Sequence, residues 1–289
     1  MSSTADTLRR FVFERDEIRG SIVRLDATWQ RLLAADDYPP EVRPMLGEAL
    51  AATALLGRSF KFDGHLTVQI QNGKHVRLLI LQCNDRLRMR GLARFGDDLP
   101  DTFAELVDGG ALCITVESTG KAERYQSIVP LPDDNLAACL EHYYQQSVQL
   151  PTMFMLAAND QHAAGLMLQV MPERQGGNGR WAELLAQLEG LDIARLSQVD
   201  EALLLTALFP EDDIRLLDSE PVCFHCDCSV ERIENMLHML GAAELADLLN
   251  DPGPVEIRCE FCNELYVIPA ERIQGIVSEL TRTQGGALH

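Results

Sequence analysis

Apolar residues fall on every second position along much of the first half of the chain. Leu66, Val68 and Ile70 alternate with polar neighbours, and residues 75–81, 88–95 and 111–116 read the same way. A period of two belongs to strands that bury one face. Asn72-Gly73, Asn84-Asp85 and Gly109-Gly110 separate these runs and supply the turns. Residues 124–129 read as a further strand. Residues 22–33 carry apolar side chains at helical spacing, and Tyr38-Pro39-Pro40 ends that run. Proline suits the first turn of a following helix, predicted over residues 41–58 and rich in Ala and Leu. Residues 136–146 read as a helix, and 153–156 and 166–171 complete the N-terminal part of the pattern. The pattern predicts an α+β fold, with a mixed α/β N-terminal domain.

The pattern changes after Arg174-Gln175-Gly176-Gly177-Asn178-Gly179, a glycine-rich stretch that reads as the start of a linker. Residues 181–191 and 200–209 are Leu- and Ala-rich helix candidates separated by polar residues. Glu211-Asp212-Asp213 reads as a solvated acidic turn. The expected organisation is an N-terminal core over residues 1–175, a helical linker over 176–220 and a small C-terminal domain over 221–289. Within the last, residues 231–240 and 242–249 are helix candidates and 265–268 is strand-like.

Charge and composition narrow the partners. The 289 residues include 25 basic and 44 acidic side chains, a net charge of −19. Such a balance repels nucleic acid and anionic lipid, which both need Lys and Arg to neutralise phosphate. No run of about 18 apolar residues offers a membrane span, and residues 1–15 lack the apolar stretch of a secretory signal. A cytoplasmic protein with no nucleic-acid or membrane partner is expected. No glycine-rich phosphate loop is present, so ATP use has no support.

Eight cysteines are many for such a chain. Cys83, Cys113 and Cys139 stand singly in apolar segments, and the other five lie between Cys223 and Cys262. Cys226-Asp227-Cys228 and Cys259-Glu260-Phe261-Cys262 form two close pairs separated by 30 residues. Four thiolates in two pairs suit a tetrahedral zinc site. One reading is a closed structural site. The other is a sensor: zinc holds these sulfurs as thiolates, which oxidants attack, and a neighbouring cysteine can resolve a sulfenic acid to a disulfide. Cys259 and Cys262 have the spacing of dithiol redox pairs. The Cα atoms of Cys226 and Cys228 span at most ~7 Å, so a bent backbone closes that ring with some strain, and a strained bond is easier to reduce. Zinc binding also contributes folding energy on the order of 10–16 kcal/mol in small domains. Cys223 and His225 stand beside the first pair as weaker candidates for a ligand role.

These residues resemble the heat shock protein 33 family of bacterial redox-regulated holdase chaperones. The two-pair signature is joined by Phe60-Lys61-Phe62-Asp63-Gly64, Met89-Arg90-Gly91, Glu123-Arg124-Tyr125-Gln126, Leu136-Ala137-Ala138-Cys139-Leu140-Glu141, Gln149-Leu150-Pro151-Thr152 and residues 164–172 (AGLMLQVMP). The resemblance covers nearly the whole chain. It implies one zinc per chain held by Cys226, Cys228, Cys259 and Cys262 in a reduced, inactive form. It implies that oxidation pairs Cys226 with Cys228 and Cys259 with Cys262 and releases zinc. The linker then loosens, and a homodimer binds unfolded or partly folded client proteins without ATP. No catalytic residue is implied, and the chain is read as a chaperone rather than an enzyme. Cys223 is an extra thiol relative to the family pattern.

Other readings fit less well. A deaminase-type zinc enzyme needs an H-x-E and a P-C-x-x-C motif, and neither is present. A zinc-ribbon nucleic-acid module would be basic. A thiol-disulfide oxidoreductase places C-x-x-C at a helix N-terminus, whereas Asn263-Glu264 and a strand-like run follow Cys262. A structural zinc module without switching stays open. His65 and His75 read as strand residues rather than ligands, and Met167 and Met171 as core.

Overall fold

A computed structural model describes residues 6–60, 62–119, 124–132, 134–171, 179–189, 201–249 and 253–285. The chain folds as two compact units, Met1–His225 and Cys226–His289. Lys61, Glu123, Pro172, most of the glycine-rich stretch 174–179 and residues 190–200 lie outside the described residues, as does the expected boundary at 175/176.

The first unit runs in order through β1 (Thr7–Phe13), β2 (Ile18–Leu25), α1 (Ala27–Leu33), α2 (Arg43–Ser59), β3 (Gly64–Gln71), β4 (Val76–Asn84), β5 (Arg88–Phe95) and α3 (Phe103–Leu106). It continues with β6 (Ala111–Ser118), β7 (Arg124–Pro130), α4 (Leu136–Tyr143), β8 (Thr152–Ala158), β9 (Ala163–Val170), α5 (Gly179–Leu188), α6 (Glu201–Leu208), β10 (Ile214–Pro221) and β11 (Cys223–Phe224). A π-helical turn, Tyr144–Val148, prolongs α4 and ends at Gln149 in the left-handed region, φ 58°. The strands form a five-stranded sheet in the order β10-β1-β2-β9-β8 and a six-stranded sheet in the order β11-β5-β4-β3-β6-β7.

Helix α2 lies between the two sheets. Met45, Leu46, Ala49, Leu50, Ala51, Ala52, Ala54, Leu55 and Leu56 are all buried, so apolar residues surround the helix instead of forming one stripe. A helix apolar all round belongs in an interior. Its small residues allow close approach: a Cβ on Gly47 would sit 2.4 Å from the Ala158 side chain.

The five-stranded sheet is apolar on both faces. Along β9, Ala163 and Met167 join the cluster around α2, while Ala164, Leu166, Leu168 and Val170 join a second cluster with Phe11, Phe13, Ile18 and Ile22. That second face is covered by Leu184 and Leu188 of α5, Leu204 and Leu205 of α6, and Phe209. Leu185 is 37% exposed, and Leu191 lies outside the described residues. Gly20 makes room for the Phe11 ring across the β1–β2 pair: a Cβ there would lie 2.1 Å from the ring.

The expected strands between 66 and 129 are present, Leu66, Val68 and Ile70 are buried, and the helix expected over 41–58 is α2, Arg43–Ser59. Two expectations are corrected. Residues 22–33 are not one helix: β2 runs to Leu25 and α1 begins at Ala27. Ile22 and Val23 enter different clusters on opposite sides of the sheet, so a strand buried on both faces mimics a helical run. Residues 214–220 of the stretch read as helical linker, together with Pro221, form a strand on β1.

The second unit contains α7 (Val230–Leu240), α8 (Ala242–Leu248), the hairpin of β12 (Val255–Arg258) and β13 (Leu265–Ile268), and α9 (Ala270–Gly285). Its apolar core is Ile233, Leu237, Leu245, Ile268, Ile273 and Ile276. Arg272 of α9 forks onto Glu234 of α7 at 2.8 and 2.7 Å. Among the described residues no helix is long and apolar enough to cross a membrane.

Candidate metal centre

The second unit gathers four of the eight cysteines. Ser229 caps α7, its hydroxyl accepting from the Arg232 amide at 3.2 Å, and this fixes the chain as it leaves Cys228. Cys259 to Cys262 form the turn between β12 and β13. The Asn263 amide donates to the Cys259 carbonyl at 2.8 Å, and the Cys259 amide donates to Glu264 at 2.9 Å. Asn263 takes φ 61°, a left-handed conformation that asparagine tolerates better than most residues. It turns the chain back into β13 directly after the last cysteine.

The four Sγ atoms lie within 4.8 Å of one another. Cys226 and Cys259 approach to 3.6 Å, and Cys228 and Cys262 to 3.3 Å. A tetrahedral ion with Zn–S bonds of about 2.3 Å needs sulfur–sulfur edges of about 3.8 Å. The donor set therefore fits a tetrahedral, thiolate-loving ion, and the cluster could hold a metal. The Tyr266 hydroxyl donates to Cys228 Sγ at 3.1 Å. Backbone amides of Cys228 and Glu264 hydrogen-bond Cys226 and Cys262.

The thiols are not equivalent. Burial and then its thiol neighbours hold Cys226 and Cys262 above the usual thiol range, despite the backbone amides that oppose this. Burial also raises Cys228, but the Tyr266 hydroxyl and the surrounding thiols outweigh it and bring that thiol below its ordinary value. Tyr266 itself is pushed well up by donating to Cys228. A phenol that donates to a thiolate resists losing its own proton.

All four sequence-predicted ligands thus come together. Cys223 and His225 belong to the first unit, where the Cys223 amide donates to Leu87 at 3.2 Å and the His225 amide to Met89 at 2.8 Å. Cys223 is exposed; Cys83, Cys113 and Cys139 are buried in the first unit. Burial pushes the Cys83 thiol up to about 12, as suits a packing residue. His65 is an exposed residue of β3, and His75 precedes β4 with its ring against the Asp98 carbonyl at 2.5 Å. Met167 is core. Sequence reasoning missed Tyr266. Its signal was its position on the strand that immediately follows the second pair.

Comparisons with known proteins agree with this architecture. The chain is 40% identical over 262 residues to the 33 kDa chaperonin of Nitrosococcus oceani, covering 90% of each. It is 38% identical over 269 residues to that of Chromobacterium violaceum, covering 92% of each. Against that of Shewanella sediminis it is 36% identical over 275 residues, 94% of this chain and 96% of the relative. The crystal structure of the 33 kDa chaperonin (heat shock protein 33 homolog) from Thermotoga maritima superposes with a TM-score of 0.82 at 22% identity, over 94% of this chain and 98% of that one. The Hsp33 protein family model matches residues 6–269, and the chain belongs to that family.

Proposed function

We propose that the chain is an ATP-independent holdase chaperone governed by its four C-terminal thiols. Its family and the chaperonin names of its relatives support a chaperone role. The observation that carries the regulatory reading is the contrast within the second unit: four sulfurs within 4.8 Å of one another beside a small apolar cluster, six buried side chains among the described residues. When bound, one zinc per chain would hold the sulfurs as thiolates and lend the unit folding energy on the order of 10–16 kcal/mol.

In this reading Cys226, Cys228, Cys259 and Cys262 are the ligands in the reduced, inactive form. Peroxide oxidises one thiol of a pair to a sulfenic acid and yields water. The second thiol displaces a second water and closes the disulfide, so each bond consumes one peroxide. Pairing Cys226 with Cys228 and Cys259 with Cys262 removes all four ligands and releases the metal. The domain organisation proposed is a core to about residue 175, a linker over 176–220 and a switch domain over 221–289, whose first residues to His225 pack with the first unit in this structure. Loosening of the linker would uncover the sheet face that α5 and α6 now cover, where Phe11, Phe13, Ile18, Ile22, Leu166 and Leu168 lie. Such a surface binds unfolding chains without a fixed sequence. The net charge of −19 keeps the complex dispersed. The active form is proposed to be a homodimer in the cytoplasm, where reductant restores the resting state.

Light scattering during heating of a client tests this. Reduced, zinc-loaded chain should leave aggregation unchecked, and peroxide with mild heat should convert it to a form that suppresses scattering without ATP. Equal protection by the two forms rejects the switch and leaves a structural metal site. Catalysed thiol exchange on a model disulfide would favour an oxidoreductase instead.

A further inference from the structure

Residues 213–225 form a strap that closes both sheets of the first unit. Its first part is β10, the edge strand of the five-stranded sheet, antiparallel to β1. Two residues after β10 ends at Pro221 the same chain becomes β11, parallel to β5 at the edge of the six-stranded sheet. The strap's backbone bonds run to the first sheet through Val222 and to the second from Cys223 on. The Glu14 amide donates to Asp213 at 2.9 Å and the Val222 amide to Asp6 at 2.9 Å, while the Cys223 and His225 amides donate to Leu87 and Met89. Antiparallel pairs alternate between bonded and non-bonded positions. Counting from Glu14–Asp213 and from Asp6–Val222, the bonded positions are Arg215 opposite Val12 and Glu220 opposite Leu8. Leu216 and Ser219 turn their amides away. Pro221, with no amide hydrogen, lies at a non-bonded position opposite Thr7.

The strap's side chains match what surrounds it. Ile214 and Leu216 pack against the apolar cluster on the outer face of the five-stranded sheet, and Val222 is buried in the cluster around α2. Between them Glu220 pairs with Arg58 at 2.7 Å and with Arg10 at 3.5 Å. Along the strap this is an extended segment with aliphatic residues two apart, a carboxylate four residues further on and an aliphatic residue two beyond that. The last bonded residue, His225, is the sequence neighbour of Cys226.

We propose that this strap is a resident occupant of a peptide-binding edge. Once it is released, β1, and β5 beyond it, take up an extended client segment of the same chemistry as an added strand. The inference rests on the oxidation-released chaperone reading above and specifies what the released form holds. A vacated edge presents unpaired amides and carbonyls that pair with any extended chain, and unfolding proteins supply such chains. Arg10 and Arg58, left without Glu220, favour segments that carry a carboxylate.

The probe is a fluorescent synthetic peptide of residues 212–225 carrying Cys223→Ser, read by polarisation against the full-length chain. Oxidised chain that suppresses client aggregation should bind it, and reduced, zinc-loaded chain should not. N-methylation at Arg215 and Glu220, which face the edge, should weaken binding by about tenfold or more. N-methylation at Leu216 and Ser219 should change it less than about twofold. Client-protecting chain that ignores the peptide, or binds both methylated peptides alike, overturns the edge site and leaves the chaperone reading intact. So does a dimer in which the partner's strap fills the edge and excludes the peptide. A second arm is independent of oxidation: reduced full-length Leu216→Asp, its strap shown open by hydrogen exchange over residues 214–222. Binding there with the same methylation pattern upholds the edge site even if oxidised chain fails to protect clients. No binding there overturns it.

Discussion

The two units of this chain are held by different forces. In the first, α2 is buried on all sides between two sheets, and the outer face of one sheet carries a second apolar cluster. In the second, the described residues offer a six-residue apolar cluster, an Arg272–Glu234 fork and four gathered sulfurs that could hold a metal. Hydrophobic burial adds up over many residues and weakens gradually when any one is lost. A thiolate cage concentrates its stabilisation in four atoms and one oxidation state. The difference teaches where the proposed chemical trigger would act: in the unit with the smaller apolar cluster.

The sharpest way to break the comparison is Cys228→Ser. It should cost the second unit metal-derived stability on the order of 10 kcal/mol, with loss of the helical circular dichroism of α7 to α9, while the melting of the first unit stays in place. A second unit that keeps its helices would show that its apolar core suffices. Leu204→Ala, deleting a buried side chain that covers the outer sheet face, should cost about 2–5 kcal/mol. Increased hydrogen exchange in α6 and increased binding of an apolar dye by the reduced protein are the readouts. An unchanged dye signal would separate that cover from the surface beneath it.

A smaller effect concerns pH. Glu48 of α2 lines a cavity of about 330 Å³ with Glu41, Asp101, Phe103 and Asn135, and burial pushes its carboxyl from 4.5 up to about 7. Between those values the folded chain keeps a proton that the unfolded chain has lost, so stability from this group is full below about 4.5 and falls as pH rises through about 7. Glu48→Gln should therefore stabilise the first unit at pH 8, by about 2–3 kcal/mol, and leave it unchanged at pH 4. Denaturant melts at the two pH values check the sign. The smallest change is Tyr266→Phe, which removes the 3.1 Å bond to Cys228. Losing such a supporting bond should weaken metal affinity about tenfold, measured by competition with a chelating dye.

Legibility in the sequence followed burial geometry. β3 of the six-stranded sheet buries one face, so Leu66, Val68 and Ile70 announced themselves by alternation. The inner strands β2 and β9 of the five-stranded sheet bury both faces, which erases that period. β9 is buried at every residue, and Leu8 enters one cluster while Phe11 and Phe13 enter the other, so β1 went unread. In β10 the register shifts between its pairings with Arg9 and Phe11, which breaks any repeat. The metal cluster was legible because its chemistry depends on residue type and spacing, and neither is masked by packing. Its supporting phenol was not, because a tyrosine on a strand carries no signature until the sulfur beside it is located.

The interleaving of the five-stranded sheet has a consequence for synthesis. β1 and β2 leave the ribosome early, yet β8, β9 and β10 come from residues 152–221, after β3 to β7 of the six-stranded sheet have been made. Pairing across so long a separation is slow. During that interval Phe11, Phe13, Ile18 and Ile22, later sealed beneath α5 and α6, are carried uncovered on the nascent chain. The protein therefore passes through its own aggregation-prone phase on every round of translation, and slowing elongation past residue 100 should lengthen that exposure.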